Sequence, residues 1–188
     1  LLLRVEALLR GSSLGNTSTA NAQAASLSGL TGVDASASTT ATIAASTFLL
    51  DDGDTFSVNQ VPFSIGAGAS PDDLLEQLAQ DINSSALGGV TAVLTGTNGG
   101  VGASELTLNI IHNQGGDLKF NVAGVGSVEV AANENTASSE TLDAANNRAV
   151  VAGILTIVTD EGSTLNAVDV GTTIDNTAIV GNFAGQPF

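Results

Sequence analysis

The sequence predicts an α+β fold that is mainly β, with antiparallel sheets covered by one amphipathic helix (residues 71–83) and a further short helix at the N-terminus. Alternating apolar and polar runs recur along the chain, and Gly- or Asn-rich turns separate them. The large apolar residues are mainly Val, Leu and Ile, which pack well on a pleated sheet. One segment, SPDDLLEQLAQDINSS, instead has a helical period.

Composition excludes several classes of function. Among 188 residues, 19 are acidic and four are basic, which gives a formal net charge of −15. Nucleic acids bind through clustered Lys and Arg, so a nucleic-acid partner is not expected. The absence of Cys removes disulfides and thiolate zinc sites. The longest apolar run, residues 149–158, is too short to cross a bilayer, so membrane insertion is not expected.

The composition also predicts a location. The chain begins with Leu1 and contains no Met, so we expect a processed chain or a fragment that could already have lost a signal peptide. Ser, Thr, Asn, Gln and Gly must supply most of the surface, with an acidic excess. That pattern is common in secreted proteins, and the expected location is extracellular or at the cell surface.

The N-terminal part of the chain divides into a helix and a connection. Residues 1–10, LLLRVEALLR, contain good helix formers and no Gly or Pro. Their many large apolar side chains predict a helix packed on its own domain or an assembly segment that packs on neighbouring subunits. Residues 11–46 are rich in Ser, Thr and Ala, which predicts a low-complexity connection with a short helix around residues 19–27.

Residues 47–132 are predicted to form a module of hairpin, helix and antiparallel sheet. After the turn DDGD, two short alternating runs meet at Asn59 and Gln60, which predicts a β-hairpin with a two-residue turn. Pro62 cannot donate a ladder hydrogen bond, so its strand is expected at a sheet edge.

The helix of residues 71–83 has clear signals at its start. Ser70 is a suitable N-cap, Pro71 occupies the first helical position, and two Asp residues follow at the positive end of the helix dipole. Four alternating runs come next, at residues 90–95, 104–111, 117–124 and 127–132. Strands joined by such short turns predict an antiparallel sheet with one covered face, and this helix is the natural cover.

The C-terminal residues 133–188 are expected to complete the sheet or to form a small subdomain. A polar stretch at 132–147 predicts a loop with a short helix capped by Ser138 or Ser139. The stretch that follows, RAVVAGILTIVTDEG, predicts one long buried strand.

The middle of the chain resembles a known module. A strand pair precedes a helix that ends in Ile82 and Asn83, and GVTA, ELTL and a turn into a last strand follow. This order resembles the flagellin hypervariable-region (flagellin-IN-like) motif of bacterial flagellins and hook-associated proteins, over about residues 54–124. The resemblance implies a filament subunit whose exposed Ser and Thr can carry glycans. The family usually has Asn-Gly at the hairpin turn, where this chain has Asn59 and Gln60.

Few residues suggest catalysis or metal binding. His112 is the sole histidine and falls at a predicted strand end, which favours a turn histidine over a ligand or a catalytic base. The Gly-rich stretch at 96–104 lacks the Lys of a phosphate-binding loop. Neither an enzymatic activity nor a cofactor is expected, with calcium as the one candidate cation. Its candidate ligands are Asp51, Asp52, Asp54, Asp160 and Glu161.

Apolar residues at the chain ends are the predicted contacts between subunits, because exposed apolar surface favours association. They are Leu1, Leu2, Leu3, Val5, Leu8 and Leu9 at the N-terminus, with Phe183 and Phe188 at the C-terminus. Asn16 and Asn83 satisfy the glycosylation tripeptide, so glycans are a candidate modification.

These features favour a structural role as a subunit or outer domain of an extracellular filament that self-assembles into a homopolymer. Two alternatives stay open. One is a surface adhesin or carbohydrate-binding module, for which calcium is a candidate ligand, and the other is a viral or phage coat or fibre component. A calcium-dependent rise in melting temperature would favour the adhesin.

Overall fold

The computed structural model describes residues 20–28, 33–68, 70–100, 104–132, 135–159 and 164–166. This part of the chain is mainly β, with two antiparallel sheets and two α-helices, which confirms the predicted fold class. The helices are α1 (Ala20–Leu27) and α2 (Pro71–Ser84). The strands are β1 (Val33–Ala44), β2 (Phe48–Leu49), β3 (Thr55–Val58), β4 (Val61–Ser64), β5 (Val90–Thr95), β6 (Thr107–His112), β7 (Leu118–Ala123), β8 (Ser127–Ala132), β9 (Asn135–Leu142), β10 (Arg148–Val151), β11 (Ile154–Thr159) and β12 (Thr164–Asn166).

Eight strands form the larger sheet, in the order β12–β11–β1–β6–β5, and β8 pairs with β1, β2 and β9. The long strand β1 pairs with β11 through residues 33–38 and with β6 through residues 39–44. Ala41 and Thr42 of β1 also pair with β8. Strand β1 therefore connects all branches of the larger sheet.

The smaller sheet contains four strands in the order β10–β7–β3–β4. Its hairpin, β3 and β4, comes directly before α2 in the chain, whereas β7 and β10 arrive from much later segments. Pro62 lies on β4, the predicted edge strand, where its missing N–H interrupts no ladder.

One hydrophobic core joins both sheets and α2. Strands β3, β6, β7 and β8 alternate as predicted, and one face of each is buried. Phe56 of β3 and Phe120 of β7 stack with ring centroids 5.7 Å apart, and both side chains are fully buried. The larger sheet contributes side chains such as Ile43, Leu108 and Val130 to the same core.

Helix α2 begins as its sequence predicts. The Ser70 hydroxyl accepts a hydrogen bond from the Asp73 N–H at 3.2 Å and donates one to the Asp73 carboxylate at 2.9 Å. The apolar stripe of α2 is buried through Leu75, Leu78 and Ile82, and the helix packs on β5.

The predicted connection at residues 11–46 is in part a strand. The short helix expected within it is present as α1, but residues 33–44 form β1. Buried Ala35, Thr39, Ala41 and Ile43 alternate there with more exposed Ser and Thr. The sequence does not predict this strand, because small side chains produce only a weak hydropathy contrast between the two faces.

Neighbouring loops explain why β1 needs small residues. A Cβ at Gly115 would clash with Ala37, and a Cβ at Gly153 would clash with the Gly115 carbonyl. The Thr39 hydroxyl donates a hydrogen bond to the Gly116 carbonyl at 2.7 Å. The loops after β6 and β10 thus cross β1 at close range, and a larger side chain would hold them away.

Two C-terminal predictions were wrong. Residues 135–142 form β9, which pairs with β8, instead of a loop with a short helix. The single long strand predicted from residue 148 is two strands, β10 and β11, which enter different sheets. The break falls at Ala152 and Gly153, where the close approach to Gly115 requires a residue without a side chain. The predicted helix at residues 1–10 lies outside the described residues.

The hairpin turn has two residues, as predicted. Asn59 has φ of 48° and Gln60 has φ of 70°, so both adopt the left-handed conformation that a type I′ turn requires. Asn59 also exchanges hydrogen bonds with β7: its N–H donates to the Lys119 carbonyl at 2.8 Å, and its Oδ1 accepts from the Lys119 N–H at 2.8 Å. These bonds favour Asn at the first position, whereas Gln60 remains strained.

Replacing Gln60 with glycine should stabilise the protein by about 0.5–1 kcal/mol, because glycine removes the steric cost of the left-handed conformation. Urea unfolding measures the change. The same substitution at exposed Gln80, inside α2, is the matched control and should destabilise by about 1 kcal/mol. A loss of stability in Gln60→Gly would contradict the strained turn.

Candidate functional site

A buried carboxylate holds the turn at residues 51–54. Asp54 is 4% exposed, and its Oδ2 accepts hydrogen bonds from the N–H groups of Asp51 and Gly126, each at 3.0 Å. Its Oδ1 accepts a third bond from the Val125 N–H at 3.1 Å. The bond from Asp51, helped by those from Val125 and Gly126, holds the pKa of Asp54 below its usual value against the opposing effect of burial.

Two glycines in the turn between β7 and β8 make room for this carboxylate. Gly124 has φ of 143°, which residues with side chains rarely adopt, and a Cβ there would clash with Asp54. A Cβ at Gly126 would clash with the Leu49 carbonyl. The turn G-V-G is therefore a backbone cradle for an internal anion.

The calcium candidates do not come together in the described residues. Both oxygens of Asp54 accept backbone N–H groups, whereas Asp51 and Asp52 are exposed at the surface of the same turn. Asp160 and Glu161 lie outside the described residues. Within residues 20–166, where these are described, no group of three or more His, Asp or Glu side chains could hold a metal ion.

His112 is the last residue of β6, at the strand end where the sequence placed it. Its Nδ1 lies 3.3 Å from the Gln114 N–H nitrogen and 3.2 Å from that of Gly116, and it accepts from both. The imidazole therefore closes the turn into β7.

A second buried carboxylate was not recognised in the sequence. Asp72, in the first turn of α2, is fully buried; its Oδ1 accepts from the Leu106 N–H at 2.9 Å and its Oδ2 from the Gly99 N–H at 3.1 Å. In the same Gly-rich loop, the Asn98 amide donates to Asp73 and Glu76. Acidic residues at the start of α2 thus fasten the loop before β6. The Asp-Asp pattern predicts where the helix begins. It does not reveal the hydrogen-bond partners of these carboxylates, which are distant in the sequence.

Asn83 binds the backbone at one edge of the larger sheet. Its Nδ2 donates to the Ala92 carbonyl and its Oδ1 accepts from the Ala92 N–H, both at 2.8 Å. Ala92 lies on β5, the last strand of the sheet order, so the side chain occupies one position on an edge where another strand could otherwise pair. The glycosylation candidate Nδ2 is thus engaged with the neighbouring backbone.

Replacing Asn83 with alanine should destabilise the protein by about 1–2 kcal/mol, because two hydrogen bonds are lost. It should also increase association, since the edge of β5 becomes available for pairing. Urea unfolding and light scattering measure the two effects. Gln80→Ala, one turn earlier on the exposed face of α2, is the control and should stay within about 0.5 kcal/mol of the parent. If both variants have the same stability and the same light scattering, Asn83 has no role at this edge.

The predicted contacts at the chain ends cannot be placed. Leu1, Leu2, Leu3, Val5, Leu8, Leu9, Phe183 and Phe188 lie outside the described residues, as does the glycosylation candidate Asn16.

An open groove of about 260 Å³ lies on the outer face of the smaller sheet. Its lining residues are Ser57, Gln60, Lys119, Phe120, Asn121 and Arg148. In the register, Ser57, Asn121 and Arg148 form one row across β3, β7 and β10, and Lys119 lies two residues from Asn121 on the same face. Lys119 and Arg148 are therefore diagonal neighbours, a spacing of about 7–8 Å between backbones.

A carboxyl group lies close to this groove. Burial raises the pKa of Asp117 above its usual value, and the positive charge of Lys119 partly offsets that rise. Lys119 therefore already interacts with a carboxyl group of its own chain.

Neither α1 nor α2 is long and apolar enough to span a membrane. A scan against protein-family models found no match for this chain, and a search of curated proteins found none either.

Proposed function

We propose that the protein is a structural subunit or outer domain of an extracellular or cell-surface filament and that it acts by self-assembly, without catalysis. One observation carries this proposal: in the described part of the chain, the two buried carboxylates hold loops in place through hydrogen bonds to the backbone. Asp54 and Asp72 together accept five backbone N–H groups. Such internal bonding gives a rigid scaffold and leaves these carboxylates little capacity for a substrate.

The order of elements supports the same proposal. The β3–β4 hairpin, α2, β5, β6 and β7 follow one another in the order on which the resemblance to the flagellin hypervariable-region module rests. The Ile-Asn pair of that resemblance lies in the last turn of α2, and Asn83 binds the strand that follows. An amide bound at this edge disfavours unspecific strand pairing there, so association is left to a specific contact.

Negative-stain electron microscopy combined with sedimentation velocity tests the proposal. Long regular polymers in native material are the expected result, and a monodisperse monomer at all concentrations would overturn self-assembly of this chain. A calcium titration of thermal stability tests the alternative. A melting temperature that rises with calcium would favour the calcium-dependent adhesin instead.

A further inference from the structure

The dipeptide Asn-Gly occurs once in this sequence, at Asn98 and Gly99 in the Gly-rich loop before β6. A glycine does not hinder the approach of its own backbone nitrogen to the side-chain amide of the residue before it. Attack of the Gly99 nitrogen on Asn98 Cγ forms an N–C bond and breaks the bond to Nδ2, which leaves as ammonia together with the Gly99 amide proton. The cyclic imide that results takes up water and opens to aspartate or isoaspartate at position 98.

Hydrogen bonds hold both reacting groups in the folded protein. The Gly99 N–H donates to Asp72 Oδ2 at 3.1 Å, which turns the nitrogen toward the carboxylate. The Asn98 Nδ2 donates to the carboxylate of Asp73 at 3.3 Å and to that of Glu76 at 3.0 Å. Rotation of either group toward the other therefore breaks hydrogen bonds that the loop makes to α2.

The charges around this dipeptide also oppose the reaction. The attacking nitrogen must give up its proton, and negative charge then develops on Asn98 Oδ1. Asp72 contacts the nitrogen, while Asp73 and Glu76 contact the amide, so three carboxylates surround a developing anion. Like charges at these distances raise the energy of the anion. The Gly100 N–H, which donates to Oδ1 at 2.8 Å, carries only a partial positive charge and does not offset them.

The product cannot replace the asparagine in this arrangement. An aspartate or isoaspartate at position 98 has no amide hydrogens to donate, and it places a further carboxylate against Asp73 and Glu76. Isoaspartate also inserts a methylene group into the backbone next to Gly99. The loop and the start of α2 then repel each other where they were bonded, and the loss of ammonia makes the change irreversible.

We propose that Asn98 is a one-way modification site. Asp72, Asp73 and Glu76 protect it from deamidation in the folded protein, and deamidation during a local opening of the loop detaches the loop from α2. The proposal does not depend on the filament function. It gives the acidic start of α2 a chemical role in addition to its role in fastening the loop.

The deamidation rate tests the protection, with peptide mapping by mass spectrometry at mildly alkaline pH as the measurement. Position 98 should deamidate about ten-fold or more slowly in the native parent than in the urea-unfolded chain. Asp73→Asn/Glu76→Gln keeps an acceptor oxygen at both positions but removes both charges, and it should speed the native reaction about ten-fold.

A charge-matched variant and salt serve as controls. Asp34→Asn/Asp51→Asn raises the net charge from −15 to the same −13 at exposed positions on other segments, and it should deamidate at the rate of the parent. Raising the salt to about 0.5 M should speed the reaction in the native parent, because it screens the half-buried carboxylates. The salt measurement needs no variant and therefore does not depend on the folding of one.

Hydrogen exchange tests the consequence of the modification. The Leu106 N–H donates to Asp72 Oδ1 at 2.9 Å, so its protection reports whether the loop is attached. In Asn98→Asp, which carries the charge of the product, this amide should exchange about ten-fold faster than in the parent. Asn98→Ala loses the same donors without adding a charge, and it should lose less protection.

Equal deamidation rates in the native and the unfolded parent would overturn the protection. The role of the carboxylates fails if Asp73→Asn/Glu76→Gln deamidates at the parent rate, or if the charge-matched control accelerates equally. Full protection of the Leu106 amide in Asn98→Asp would overturn the release of the loop. None of these results depends on self-assembly, which electron microscopy and sedimentation test separately.

Discussion

Replacing Asp54 with alanine is expected to lower the free energy of unfolding by about 3 kcal/mol or more, since hydrogen bonds to a charged group are each worth about 1.5–3 kcal/mol. The substitution leaves the N–H groups of Asp51, Val125 and Gly126 without their acceptor. Urea unfolding at neutral pH measures the loss. Asp52→Ala is the control on the same turn and should change stability by less than about 0.5 kcal/mol, because Asp52 is exposed.

The effect of Asp54 should depend on pH in a defined direction. Its folded-state pKa lies below the ordinary value of 3.8, so the folded protein binds this proton less readily than the unfolded chain. The stabilisation is therefore complete above that ordinary value and is lost as the pH falls through the lower folded pKa. The stability difference between the parent and Asp54→Asn should shrink in the same window. A difference that does not change with pH would refute the role of the charge.

Replacing Phe120 with alanine is expected to destabilise the protein by about 3–5 kcal/mol, the usual cost of removing a buried aromatic side chain. Phe120 is fully buried and stacks on Phe56 within the core that both sheets share. Because the core is shared, amides of β6 in the larger sheet should lose hydrogen-exchange protection together with those of β7.

A matched substitution separates packing from any general effect of a smaller residue. Val125→Ala removes an apolar side chain that is 87% exposed, and it should leave stability within about 0.5 kcal/mol. If Phe120→Ala lowers protection in β7 alone and leaves β6 unchanged, the two sheets unfold as separate units and the shared core is not cooperative.

The local signals in this sequence were sufficient for half of the fold. Ser70, Pro71 and the apolar stripe that follows determine where α2 begins and which face it buries, because capping and helical periodicity act within one or two turns. The same holds for β6 and β7, where buried apolar residues alternate with polar ones along most of each strand. The edge position of the strand with Pro62 could also be predicted locally. Proline has no N–H to donate, whichever strand lies beside it.

Only the tertiary structure decided the rest, and it did so through contacts between residues far apart in the chain. Residues 33–44 have small side chains whose hydropathy contrast is weak, and pairing with β6, β8 and β11 makes them a central strand. The division between β10 and β11 falls where Gly115 lies against Gly153. The roles of Asp54, Asp72 and Asn83 follow the same rule. Their burial and hydrogen bonds depend on backbone groups that lie up to 72 residues away in the chain. Periodicity and capping predict the conformation of a single segment. The hydrogen-bonded contacts of these buried and edge residues depend on which segments pack together.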